Sequence, residues 1–213
     1  MWNIEYKGKL RGDIDSISSG EELPAGSVQF KEPETVGRAF LLGAAFVMPA
    51  GMLMFVLAVI RLVTAYPKPE EGLTAETVLN VMPALIVSMI LLWPFMYVHE
   101  FIHAFLFPRE AKKQIYVHPE SWSLFVYCED PISKARFITV CLGPAVILGL
   151  VPYITVMILA PVIPVAIMIS VTAFALIEFC AALGDFVNAY NCIRQVPRDG
   201  RVFNHGYHSY WMK

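Results

Sequence analysis

Five consecutive residues, His99-Glu100-Phe101-Ile102-His103, carry the clearest chemistry in the chain. Histidines at i and i+4 lie on one face of a helix, about one turn apart. Both imidazoles can then reach one metal ion. The glutamate beside the first histidine can take a proton from a water activated there. Zinc suits this pattern because it accepts nitrogen and oxygen ligands and lowers the pKa of a bound water to around 7. Histidine and carboxylate sets also admit other divalent ions. The pattern arises by chance in some soluble chains. Here it closes an apolar segment, where ionisable groups are rare unless they serve a function. The bland alternative is a polar helix end with paired side chains.

A zinc site needs a third protein ligand. The next ionisable groups in apolar surroundings are Glu178 and Asp185. His99 lies 8 residues before Phe107, and Asp185 lies 8 residues before Ile193. If the two segments run in the same direction through a bilayer, both groups sit about 12 Å from the same helix end at 1.5 Å per residue. Glu178 would lie about 10 Å deeper, as a water-channel or supporting group. Asp185 is therefore the expected third ligand. Glu178, His118, His205 and His208 are the remaining candidates. Asn188 shares a helical face with Asp185. It could donate to a developing oxyanion, hold a ligand, or simply bond between helices.

The segments that must position these groups are strongly apolar. Of the 213 residues, 57% are hydrophobic and only 16% charged, against about a quarter charged in soluble domains. Phe137 to Ile177 runs 41 residues without a charged side chain, long enough for two spans of about 20. Four transmembrane helices are expected, at about Ala39–Ala65, Val78–Phe107, Ala135–Ala160 and Pro164–Ile193. The Pro161-Val162-Ile163-Pro164 stretch hinges the last two. Of 16 basic residues, 14 lie before the first span, between the second and third, or in the tail. By the positive-inside rule, both termini and the central segment face the cytosol. A multi-pass protein of the cell membrane is expected.

Between the second and third helices, the β-branched and aromatic runs Gln114–His118 and Ser123–Cys128 read as a hairpin over about 114–128 at the cytosolic face. The expected fold class is thus an all-α membrane protein with one small hairpin. Residues 1–36 form an N-terminal arm, 37–196 the membrane metalloprotease-like domain, and 197–213 a cytosolic tail. No cleavable signal peptide is visible in the polar N-terminus. None of the four cysteines has a C-x-x-C spacing. No basic cluster with interleaved aromatics points to nucleic acid.

The paired histidines on a span, followed by Gly184-Asp185 on the last one, resemble the intramembrane zinc metalloproteases of the site-2 type. A closer resemblance is to a bacterial family of membrane zincin peptidases, through Pro131–Phe137, Gly143-Pro144 and Gly184–Asn188. It covers roughly Leu91 to the C-terminus. It implies Zn2+ held by His99, His103 and Asp185, with Glu100 as base. Spacing and depth single out the same four residues. The expected activity is hydrolysis of peptide bonds in a membrane-embedded protein or peptide, near the cytosolic face. The alternative is a non-proteolytic metal-binding scaffold or transporter component. Pro144, Gly149 and Pro152 could loosen the third span for substrate entry.

Overall fold

The computed structural model describes residues 3–12, 17, 22–33, 35–67, 74–119, 123–206 and 208–213. Parts of the stretch between the first two expected helices, and of the expected hairpin between its two strand runs, fall outside them. The chain divides into two compact units.

One unit holds residues 40–95 and 144–183 and is built from apolar helices. Helix α1 spans Val36–Ala65 and α2 spans Ala75–Leu106. Helix α3, Lys134–Pro144, runs through a π-helical segment at Ala145–Leu150 into α4, Val151–Leu159. A short 3-10 turn, Ala160–Val162, closes it. Among the described residues, Gly37–Ala65, Val78–Leu106 and Lys134–Val162 are long and apolar enough to cross a membrane. Side chains such as Leu79, Met89 and Ile90 are exposed along α2. Such faces suit a bilayer, where hydrocarbon leaves each backbone group to find its partner within the chain and so favours the helical form. Close approaches fix the packing within this unit. A Cβ added at Gly149 would stand 2.8 Å from Phe179 Cβ, and one at Gly43 would stand 2.8 Å from the Leu183 carbonyl oxygen. Tyr153 donates its hydroxyl to the Met54 carbonyl at 2.7 Å.

The expected fourth span is broken. Helix α5, Val165–Ala181, and α6, Leu183–Gln195, meet at an angle of 47°. Ala182 leaves the helical range with ψ at 25°, and Gly184 follows, a weak helix former. Asp185 therefore stands in the first turn of α6, where the positive end of the helix dipole favours an anion.

The other unit holds residues 1–39, 96–143 and 184–213. An all-α chain with one hairpin is too spare a description of it. Strands β1 (Ile4–Lys9), β3 (Lys113–His118) and β4 (Ser123–Tyr127) form a sheet in the order β1-β3-β4. β3 and β4 are the expected hairpin segment, paired antiparallel. β1 lies parallel to β3. A second sheet has the order β2-β7-β6-β5, from Val28–Gln29, His208–Met212, Arg201–His205 and Ile132–Ser133. Thus both the N-terminal arm and the tail contribute strands. These pairings are far apart in sequence, and short polar strands leave little periodic signal. Phe30, Phe107, Cys128, Ile132, Phe137, Val140, Cys192 and Val202 form the core beneath. The Gln195 side chain accepts from Lys31 N–H at 2.7 Å and donates to Lys31 C=O at 3.2 Å, tying the arm to α6.

Candidate metal centre

His99, Glu100 and His103 lie on the last two turns of α2, within the second unit described. Their potential ligand atoms lie within 4.8 Å of one another. The imidazole rings stand edge to face, with centroids 4.9 Å apart. Asp185 meets both of them. Its Oδ2 is 3.0 Å from His99 Nε2, and its Oδ1 is 3.3 Å from His103 Nε2. The structure thus brings together residues 82 or more positions apart in sequence. Glu100, His103, Asp185 and Asn188 line one pocket with Phe125, Val126, Val140, Cys141 and Asn204. The Val126 backbone amide is turned toward the Glu100 carboxylate.

His103 is held from behind. Its Nδ1 lies 2.8 Å from the Val140 carbonyl oxygen. A carbonyl only accepts, so Nδ1 carries the proton, and in the neutral ring Nε2, on the Asp185 side, is the nitrogen left to hold a metal. The sequence explains why that carbonyl is available. In α3 the donor to Val140 C=O would be the N–H of residue 144, and residue 144 is proline. Gly143 serves the same contact differently. A Cβ there would overlap Leu106 of α2, so glycine lets the two helices approach. The Gly143-Pro144 pair is therefore part of the site, reached through a backbone atom that a reading of side chains passes over.

Basic side chains cap the carbonyl ends of both site helices. Lys113 Nζ donates to Pro108 C=O at 2.7 Å and to Arg109 C=O at 3.1 Å, just past α2. Arg136 donates to Leu106 C=O at 3.3 Å. Lys134 Nζ donates to Ile193 C=O at 2.9 Å and to Val196 C=O at 2.6 Å, at the end of α6. Cations there oppose the negative end of the helix dipole.

The other candidate ligands are engaged elsewhere. His118 Nε2 contacts the Gly12 carbonyl at 3.0 Å. His208 Nδ1 contacts Glu32 Oε2 at 2.7 Å. His205 packs edge to face on Tyr210. Glu178 is buried on α5, in the helical unit.

With this geometry in hand, comparison with known families is decisive. Residues 92–200 match the family described as "Putative zincin peptidase". The chain belongs to that family. No curated protein and no solved structure matches it. The matched stretch of this zincin family member takes in the histidine motif, the β3–β4 pair, the Gly143-Pro144 step and α6. Membership points to a metallopeptidase, and the residues fit the zinc such enzymes use. Two imidazole nitrogens converge on one carboxylate, and one of the rings has its tautomer set by a backbone carbonyl. Such donors and such support are what zinc takes.

Proposed function

We propose that this chain is an intramembrane zinc metalloprotease that cleaves membrane proteins near the cytosolic face. The observation that carries the reading is the convergence of His99 and His103 Nε2 on Asp185, with Glu100 in the same pocket. In this reading His99, His103 and Asp185 hold the metal. When bound, zinc supplies the Lewis acidity that makes water a usable nucleophile near neutral pH. Glu100 takes the proton of that water and returns it to the leaving amine. Asn188 lines the pocket, and a side-chain amide is a donor able to stabilise a developing oxyanion.

A spanning substrate hides its carbonyls in helical hydrogen bonds, so a piece of it must unwind. Among the described residues β4 is an edge strand, and its Phe125 and Val126 line the pocket. An extended substrate segment can pair along that edge and be held beside Glu100. The basic distribution supports placing both termini and this sheet in the cytosol. Four spans result if the bent α5–α6 pair counts as one.

The test is metal content of detergent-purified protein, beside His103→Ala and Asp185→Ala, with Glu100→Gln assayed for hydrolysis. One zinc per chain, lost in both ligand variants and kept in inactive Glu100→Gln, is the expected result. Zinc retained in Asp185→Ala would remove Asp185 from the ligand set. A wild-type protein that takes up no zinc would end the protease reading in favour of a non-proteolytic scaffold.

A further inference from the structure

The helical unit contains a feature that zinc chemistry leaves unused. Between α1 and α4 runs a groove of about 380 Å³, lined by Leu57, Ile60, Tyr153, Ile154, Met157 and Ile158, with Arg61 and Thr64 along it. Its walls are aliphatic apart from these two and the tyrosine. Arg61 and Arg38 are the charged residues of α1, and Arg61 lies four residues from the helix end at Ala65. That is headgroup depth rather than mid-bilayer, where an arginine would be costly.

The guanidinium is fixed sideways along the groove. Arg61 Nε donates to the Met157 carbonyl at 2.8 Å. The residue four positions after Met157 is Pro161, in the turn that ends α4. It has no N–H to offer, so this carbonyl too is free for a side chain. Using Nε for this bond leaves the two terminal nitrogens, which form the planar fork that matches phosphate oxygens. Thr64 gives its hydroxyl to Ile60 and Arg61 carbonyls. Tyr66 donates to Ile163 C=O at 2.8 Å, an aromatic at the same helix end, as at membrane interfaces generally.

We propose that this groove is a binding site for one anionic phospholipid. Its phosphate pairs with the terminal nitrogens of Arg61, and an acyl chain lies along Leu57, Ile154 and Ile158. Charge complementarity sets the choice. A zwitterionic lipid offers the same phosphate but carries an ammonium group that the cation repels, whereas an anionic lipid does not. The groove is too apolar to hold a free phosphate ion. The proposal depends only on the helices crossing a bilayer and is independent of the zinc site.

The experiment is native mass spectrometry of the full chain released from nanodiscs of mixed phosphatidylglycerol and phosphatidylcholine. Wild type should retain phosphatidylglycerol in roughly fivefold preference, the effect of about one interfacial cation. Arg61→Met should lose the preference and Arg61→Lys should keep part of it. Ile158→Trp, which leaves the charge and fills the groove, should lose bound lipid of both kinds. Equal retention of the two lipids by wild type would overturn the proposal. So would an unchanged preference in Arg61→Met or unchanged retention in Ile158→Trp. Displacement of the lipid by inorganic phosphate would also overturn it, because the acyl groove would then contribute nothing.

Discussion

Replacing Pro144 by alanine restores an N–H one helical turn after Val140, and that N–H competes with His103 Nδ1–H for the same carbonyl. The bond at stake is 2.8 Å long, between a histidine 8% exposed and a valine 4% exposed. Water therefore cannot readily replace it. Loss of a hydrogen-bonding partner behind a metal-bound histidine weakens metal binding by about 10- to 100-fold. A carbonyl has two lone pairs and can serve two donors, so the lower end, roughly tenfold, is expected. Helix propensity moves the other way. Alanine is favoured over proline by about 3 kcal/mol in a helix interior. The metal-free variant should thus melt no lower than wild type while holding zinc about tenfold more weakly. Competition against a chromophoric chelator gives the affinity, and thermal melting with and without zinc gives the stability. Unchanged zinc affinity would refute the argument that the proline frees this carbonyl for His103. A fall in both quantities would show general damage instead.

Other outcomes follow from the packing. Lys134→Met removes both capping bonds to Ile193 and Val196 and should destabilise the chain by about 1–2 kcal/mol, read by thermal unfolding in detergent. Gly149→Ala forces a Cβ against the backbone of Phe179, with its Cα at 3.1 Å and N at 3.2 Å, and should cost about 1–3 kcal/mol. Gly184→Ala, with nothing within 4 Å of the added Cβ, should be neutral or stabilising in the same assay. Burial pushes the Cys128 thiol from 9.0 up to about 11, so at pH 8 its alkylation should be roughly a hundred-fold slower than in unfolded protein. Mass mapping of the Cys128 peptide checks this.

The ligand candidates were legible because their geometry is local. Histidines at i and i+4 share a helical face whatever the fold, and Asp185 stood out as an aspartate in apolar sequence. The long apolar helices were legible from hydropathy. The break at Ala182 was not, since Ala181-Ala182-Leu183 contains good helix formers. The sheets were hidden for a different reason. Ile4 pairs with Lys113, and Gln29 with Tyr210, and pairings so distant leave no local pattern. The Val140 carbonyl was hidden because it is backbone. Its only mark in the sequence is the missing donor at Pro144.

The same distant pairings set an order of events during synthesis. β1 leaves the ribosome first but has no partner until β3 exists, and β2 waits for β7. The two histidines are made 82 residues before Asp185, counted from His103, a lag of roughly 4 to 16 s at ordinary elongation rates. Through that interval the nascent chain carries a ligand pair without its carboxylate. The two-residue strand that docks Phe30 into the core still lacks its sheet. β7 follows Asp185 in the chain, so the sheet that pairs with the arm closes only after the last residue of the candidate site has been made.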